Sequence, residues 1–140
     1  NAAAPNGQTA LMLAANGGHA ETVTALLAYP GLDVNAAAPN GQTALMRAAH
    51  GGQTDRVTAL LAAPGLNVNA ADRDGWTALM RAARGGHAET VTALLAYPGV
   101  DVNAADRDGR TARALAKARG HVQIASLLRA AGKNTCCTIN

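Results

Sequence analysis

Apolar residues recur along the chain at a helical spacing, in short blocks separated by glycine and proline. In the first block, Leu11, Ala14 and Ala15 stand at i, i+3 and i+4, which places them on one face of a helix beginning at Ala10. Gly17-Gly18 supply the left-handed conformation that commonly ends a helix. The pattern therefore predicts a first helix of only about two turns.

Polar residues and turn formers mark the remaining boundaries of this unit. The Thr9 hydroxyl is predicted to cap the first helix by accepting an amide hydrogen bond. A second apolar stripe, starting at Val23, predicts a helix from about residue 19 or 20 to residue 28 that Pro30-Gly31 ends. The following segment is too short for another helix and closes on Asn-Gly or Asp-Gly, which are typical of tight turns with positive φ. The unit is thus a helix, a turn, a helix and a hairpin-like loop.

The whole pattern repeats with a period of 34 residues, and the first and third units differ at only seven positions. One helix pair cannot bury its own apolar stripes, so neighbouring units must stack into one continuous core. A single compact globule is not expected. The predicted boundaries are the end of a preceding repeat at 1–5, full repeats at 6–39, 40–73 and 74–107, a divergent C-terminal capping repeat at 108–131, and a C-terminal tail at 132–140.

Composition explains how such thin units can stack. The chain is 49% hydrophobic but only 2% aromatic, with no Phe, because most of its apolar positions are alanine. Small side chains let helices approach closely, and Ala has the highest helix propensity. No apolar run approaches the roughly 20 residues of a membrane span, so we expect none.

The cysteines indicate the cellular compartment, and the first residues indicate a longer parent chain. The only cysteines, Cys136 and Cys137, are adjacent, which excludes a disulfide framework and any CxxC metal or redox site. We therefore expect an intracellular protein in a reducing compartment, the cytoplasm first and the nucleus as the alternative. Because the chain begins inside a repeat, we expect it to be part of a longer parent chain.

The repeated motif G-x-T-A-L-M-x-A-A-x-x-G-[HQ], followed by V-x-A-L-L and [DN]-V-N-A, resembles the ankyrin repeat, whose familiar form reads G-x-T-P-L-H-x-A-A-x-x-G-H. The resemblance covers residues 1–131. It implies an all-α fold, an α-solenoid of stacked helix-turn-helix units with hairpin-like β-turn loops. It also implies a non-catalytic module for protein–protein interaction, without a cofactor or a small-molecule substrate.

This chain departs from the ankyrin pattern in three ways. Ala and Met replace Pro and His, as at Ala10 and Met12, and Met is an adaptable apolar filler. An extra residue in the loop after the second helix gives a period of 34 rather than 33. In the last unit Arg113 and Ala114 occupy the Leu and Met positions, which suits an outer cap with no further neighbour. We expect the fold to survive these changes.

The resemblance implies that a partner protein binds the concave surface formed by the turn tips and the first helices. Variable positions are conspicuous there, and Trp76 is surrounded by arginines in a chain that is almost free of aromatic residues. Trp and Arg dominate the hot spots of protein interfaces. Alternatively, Trp76 packs on a neighbouring turn or an arginine stem, and the arginines are merely solvated. The predicted partner-binding residues are Gln42, Arg47, His50, Arg73, Trp76, Arg81, Arg84, Arg107 and Arg110.

Charge is distributed unevenly. Residues 1–72 carry two arginines against four acids, whereas residues 73–140 carry ten bases against five acids. If the basic half binds a partner, it implies an acidic surface on that partner. One alternative is a nucleic-acid-binding module that uses the basic half; it is not expected, because the chain contains no known recognition motif. The other is an engineered or consensus-like scaffold or spacer without a specific natural partner. We expect a monomer.

Three histidines, His19, His87 and His121, share one repeat position. A shared zinc ion is excluded because equivalent atoms on stacked helices lie about 8–10 Å apart. We expect instead that each side chain ties the second helix to a neighbouring loop. The sequence also contains no phosphate-binding loop and no nucleophile or metalloprotease motif, so we expect no catalytic residues and no metal site.

Two modifications are considered. The resemblance implies that Asn35, Asn69 and Asn103, at the V-N position of the loops, are candidates for asparaginyl hydroxylation; side-chain bonds that stabilise the turns are the simpler account. The last four residues, from Cys137, have the outline of a prenylation signal with an atypical terminal Asn. A frayed terminus, or a segment folded back over the last helix pair, is the alternative there.

Overall fold

A computed structural model of the protein describes residues 10–17, 19–29 and 32–139, with side chains up to residue 132. Within these ranges the chain forms four successive helix pairs and no extended strand. The helices are α1 Ala10–Gly17, α2 Ala20–Leu27, α3 Ala44–His50, α4 Thr54–Leu61, α5 Ala78–Gly85, α6 Ala88–Leu95, α7 Ala112–Ala118 and α8 Val122–Ile139. The predicted α-solenoid of helix-turn-helix units is confirmed.

Threonine caps begin the first helix of each described later repeat. The Oγ1 atoms of Thr43, Thr77 and Thr111 accept from the backbone amides three residues on, at 3.4, 3.3 and 3.2 Å. The equivalent Thr9 lies outside the described residues. Each cap satisfies one amide that a helix otherwise leaves without a partner.

The helices lie in two rows, and the core runs between them along the array. Each first helix packs on the first helix of the next repeat, and the second helices do the same. Ala48 and Ala49 are completely buried where α3 meets its neighbours. Met46 and Met80, which stand where the ankyrin pattern has His, are each only 1% exposed and fill the core as apolar side chains.

Each loop between repeats forms a short hairpin that positions its tip residues. The amides of Asp72 and Asp106 donate to the carbonyls of Trp76 and Arg110, at 3.0 and 2.9 Å. Gly75 adopts the left-handed φ of 81° that the tight tip requires. Neighbouring hairpins are also joined by backbone hydrogen bonds. The amide of Arg73 donates to the carbonyl of Asn40 at 3.2 Å, and the amide of Arg107 donates to the carbonyl of Asp74 at 3.0 Å. The tips therefore form one continuous edge beside the first helices.

The C-terminal segment differs from the sequence expectation. Residues 132–140 were predicted to form a frayed or folded-back tail, but the backbone of α8 continues to Ile139. No proline follows Val122, so nothing removes a helical hydrogen bond there. The side chain of Cys137 lies outside the described part of the chain, and its predicted modification stays a prediction.

No helix of the described ranges is both long enough and apolar enough to cross a membrane.

Candidate protein-binding surface

Three arginines from different elements surround the single tryptophan. Trp76 follows the hairpin tip at Asp74 and Gly75, Arg81 and Arg84 lie on α5, and Arg110 comes from the next hairpin. Their guanidinium carbons lie 5.5, 5.4 and 5.9 Å from the centroid of the indole ring. These distances are within the range of cation–π attraction. The α5 helix and two consecutive hairpins therefore build one cluster.

A buried carboxylate holds the tryptophan and one of its arginines in place. One oxygen of Asp72 accepts from the backbone amides of Asp74 and Trp76, at 2.9 and 3.0 Å, and the other pairs with the guanidinium of Arg81. The side chain of Asp72 is only 4% exposed. Hydrogen bonds of this kind to a charged group are among the stronger ones in proteins. Asp72 thus orients both the backbone of Trp76 and the side chain of Arg81.

The same arrangement recurs one repeat later. Asp106 accepts from the amides of Asp108 and Arg110, both at 2.9 Å, and from Nε of Arg110 at 3.0 Å. Burial raises the pKa of Asp106, but the hydrogen bonds from these two amides and the Arg110 guanidinium outweigh it, and the pKa lies below its ordinary value of 3.8. Asp106 is therefore held ionised beside Arg110.

Sequence reasoning missed both aspartates. The first full repeat has Ala38 at this position, so the change to Asp in the next two repeats was the available signal. A change from Ala to Asp at the base of a hairpin indicates that the new side chain accepts hydrogen bonds from nearby amides. Only the structure shows that Asp72 also reaches Arg81 on the following helix and that Asp106 pairs with Arg110 of its own hairpin.

The cluster forms one wall of an open cleft of about 610 Å³, which we call the Trp76 cleft. It is lined by Asp74, Trp76, Arg81, Arg84, Arg107, Asp108 and Arg110. Among the described residues, Arg81 and Arg110 form ion pairs with aspartates, whereas Arg84 and Arg107 form none. The charge available to a ligand thus comes first from Arg84 and Arg107.

The structure brings five of the nine predicted partner-binding residues together in this cleft and places the other four beside it. Gln42 lies one repeat earlier, at the position equivalent to Trp76, and Arg47 is half-buried on α3. Arg73 is exposed at a hairpin tip. His50 ends α3, where burial and the charges of Arg81, His87 and Arg84 lower its pKa from 6.5. These four residues extend the surface towards the N-terminus without lining the cleft.

A family model for ankyrin repeats, three copies in length, matches residues 1–72 and 57–138. The chain belongs to the ankyrin repeat family. The resemblance of the T-A-L-M motif is thereby confirmed, and the replacement of Pro and His by Ala and Met leaves the fold intact. Ankyrin repeats generally mediate protein–protein interaction and are typically not catalytic. No curated protein matches this chain.

In this ankyrin array the repeated histidine ties successive repeats together. Nε2 of His87 donates to the carbonyl of His50 at 3.1 Å, and Nε2 of His121 donates to the carbonyl of Arg84 at 3.2 Å. The predicted tie therefore exists, but it lands on the end of the preceding first helix rather than on a loop. The bond satisfies a carbonyl that the helix end leaves free.

The loop asparagines of the ankyrin repeats also join neighbours. Asn35 donates to the carbonyl of Gly65 at 2.8 Å and accepts from the amide of Asn67 at 2.7 Å. Asn69 makes the same two bonds to Gly99 and Asp101, at 2.8 and 2.7 Å. The simpler account of these positions, side-chain bonds that stabilise the loops, describes Asn35 and Asn69. Hydroxylation of Asn35, Asn69 and Asn103 stays a prediction.

Proposed function

We propose that this ankyrin array binds an acidic segment of a partner protein across its concave surface, with the Trp76 cleft at the centre. The observation that carries the proposal is the position of Arg84. Its guanidinium lies over the indole of Trp76 without an ion pair among the described residues. A partner carboxylate placed there meets a cation and an aromatic face at once.

The paired arginines support this arrangement in a different way. Asp72 and Asp106 hold Arg81 and Arg110 against the indole, so the ring is fixed before a partner arrives. Preorganisation lowers the entropy that binding would otherwise lose. Arg84 and Arg107 then provide the unneutralised charge that selects an acidic partner.

The tryptophan supplies the apolar part of the contact. Trp76 is half-buried, so one part of the ring packs on the array while another remains open to the cleft. A Trp in such a setting offers large contact area at small entropic cost, and central Trp and Arg residues dominate measured interface energies. The preferred partner segment therefore carries an apolar side chain next to its carboxylates.

Selection from a random peptide display library on the immobilised chain tests the proposal. We expect the enriched peptides to contain Asp or Glu next to an apolar residue. Trp76→Ala is expected to weaken their binding by about 30-fold, or about 2 kcal/mol. Arg84→Ala is expected to weaken peptide binding as well. Because the contact is ionic, added salt should weaken peptide binding more in the wild type than in this variant.

Arg119→Ala provides a matched control, since Arg119 is exposed at the end of α7 and does not line the cleft. This variant should bind the peptides as the wild type does. Enriched peptides that bind the Trp76→Ala and Arg84→Ala variants unchanged would place the binding surface elsewhere and contradict the proposal.

A further inference from the structure

The C-terminal end of the array presents positive charge where the repeat before it has apolar side chains. Three cations stand 34 residues after packing positions of the third repeat. They are Arg113, Lys117 and Arg129, in place of Leu79, Ala83 and Leu95. The first two of those packing residues are only 2% and 0% exposed and the third is partly buried, whereas all three cations are exposed. The surface that would carry another repeat is therefore a charged surface, which we call the end face.

The end face is a groove with an apolar floor. A hollow of about 240 Å³ lies between α7 and α8 and includes Val122 and Ala125 as well as the three cations. A second hollow of about 370 Å³ shares Arg113 and Arg129 and extends the groove to Leu128. Val122, which lines the first hollow, is 73% exposed.

The charge on this groove is of a single sign. Within the described residues none of the three cations forms an ion pair, and no acidic residue lines either hollow. In the Trp76 cleft, by contrast, Arg81 and Arg110 are neutralised by aspartates. A polar cap needs only solvation, which residues of mixed charge provide. A groove walled by one sign of charge concentrates an oppositely charged ligand.

Asn103 adds a hydrogen-bonding group at the edge of the groove. Asn35 and Asn69, at the same repeat position, hold the next loop by donating to one backbone group and accepting from another. Asn103 lines the second hollow of the end face, and within the described residues the chain after the last repeat continues as α8 instead of forming the loop that Asn35 and Asn69 each hold. Its amide is thus placed to bond the backbone of a segment that packs there.

We propose that the end face binds an acidic amphipathic helix of a partner protein. The surface is the one on which inner repeats stack helices, so a helix is the element that fits between α7 and α8. Its apolar side chains would lie on Val122 and Ala125, and its carboxylates would face the three cations. Helix-in-groove binding of this kind needs an apolar stripe with flanking charge. None of these residues lines the Trp76 cleft, so the proposal stands apart from the proposed function.

A synthetic peptide tests it with the full 140-residue chain. The probe is an amphipathic helix of about 18 residues, or about five turns, with Leu on one face and Glu on the other. A second peptide carries Lys in place of every Glu. Binding is followed by fluorescence anisotropy and by the backbone amide shifts of the labelled protein. We expect the Glu peptide alone to bind and to shift the amides of α7 and α8.

Charge reversal identifies the groups that carry the binding. The triple variant Arg113→Glu, Lys117→Glu and Arg129→Glu is expected to bind about tenfold or more weakly. Arg119→Glu changes an exposed cation outside the groove and should leave binding unchanged. Circular dichroism checks that the triple variant folds, and Lys117→Glu alone, expected to weaken binding about threefold, serves if it does not.

Several results would overturn the proposal. One is equal binding of the Lys peptide, and another is a set of shifts confined to the Trp76 cleft. A charge-reversed protein that binds as tightly as the wild type is a third. Binding to phosphatidylserine vesicles without binding to the Glu peptide would assign the end face to a lipid surface instead.

Discussion

Nη1 of Arg56 donates to the backbone carbonyl of Asn16 at 3.3 Å, from the second repeat to the end of the first helix of the first repeat. The same guanidinium nitrogen reaches the carbonyl of Ala15 at 3.2 Å. In the next two repeats, histidines bond the carbonyl at the equivalent helix position. The second repeat has Gln53 in place of that histidine, and the Gln53 side chain donates to the nearby Gly51 carbonyl, at 3.4 Å. A different residue at a different position thus satisfies the same backbone group.

Arg56→Thr, which introduces the residue of the first and third repeats, is expected to destabilise the protein by about 1 kcal/mol, because it removes both hydrogen bonds from Arg56 to the end of α1. Adding Gln53→His to that variant should recover most of the loss, since a histidine there can reach Asn16. Urea unfolding of the two variants and the wild type measures both effects. A single variant as stable as the wild type, or a double variant no better than the single, would contradict this account of the first interface.

The loop asparagines offer an internal comparison. Asn69→Ala removes two bonds to the next loop and is expected to cost about 1–3 kcal/mol, because the Gly99 carbonyl and the Asp101 amide lose their partner. Asn103→Ala is the matched control, as no further loop follows Asn103 in the described chain, and its cost should be a few tenths of a kcal/mol. Thermal unfolding under identical conditions compares them. Equal costs at the two positions would show that the loop-to-loop bonds contribute little.

Two tip glycines separate backbone strain from steric contact. Gly41 and Gly109 have similar φ values of 85° and 79°, but a Cβ at Gly41 would lie 2.9 Å from Cα of Asp72, whereas a Cβ at Gly109 meets nothing within 4 Å. Gly109→Ala is expected to cost about 1–2 kcal/mol from the left-handed conformation alone. Gly41→Ala should cost more, because the neighbouring hairpin must also move. Chemical denaturation of the two variants measures the difference. An equal loss in the free energy of unfolding would mean that the neighbouring hairpin moves away without a measurable energetic cost.

The lowered pKa of Asp106 predicts a pH dependence of stability. The ionised carboxylate is favoured in the folded protein, so its contribution is complete above its ordinary pKa of 3.8 and is lost as the pH falls through the lower folded value. Asp106→Asn keeps an acceptor for the two amides but removes the charge that faces Arg110. The stability difference between the wild type and this variant should shrink as the pH is lowered from about 5 to about 2. A difference that is constant over that range would exclude a role for ionisation.

Much of the fold could be predicted from the sequence because its determinants act over a few residues. Thr43 caps the helix that starts one residue later, and Gly52 ends it with a φ of 68°. The 34-residue period then requires each unit to stack on the next. The continuation of α8 beyond residue 131 was not predicted, because a break in a repeat pattern does not by itself stop a helix.

The candidate site could be predicted only in outline. The sequence indicated that Trp76 and the arginines share the concave side, since the variable positions of a repeat recur on one surface. It did not indicate that Arg81 forms an ion pair with Asp72 whereas Arg84 forms none among the described residues. The two arginines are alike in sequence and differ only in whether a carboxylate lies within reach.

The repeat, its helices, its caps and the positions free to vary follow from the amino-acid sequence, since each depends on local backbone preferences and on a period that the chain repeats. Which charges are neutralised, and which partners satisfy each helix end, depends on how the repeats stack. Those outcomes depend on distances of a few ångströms between groups 40 residues apart, such as the Arg56 guanidinium and the Asn16 carbonyl, which stacking alone brings together.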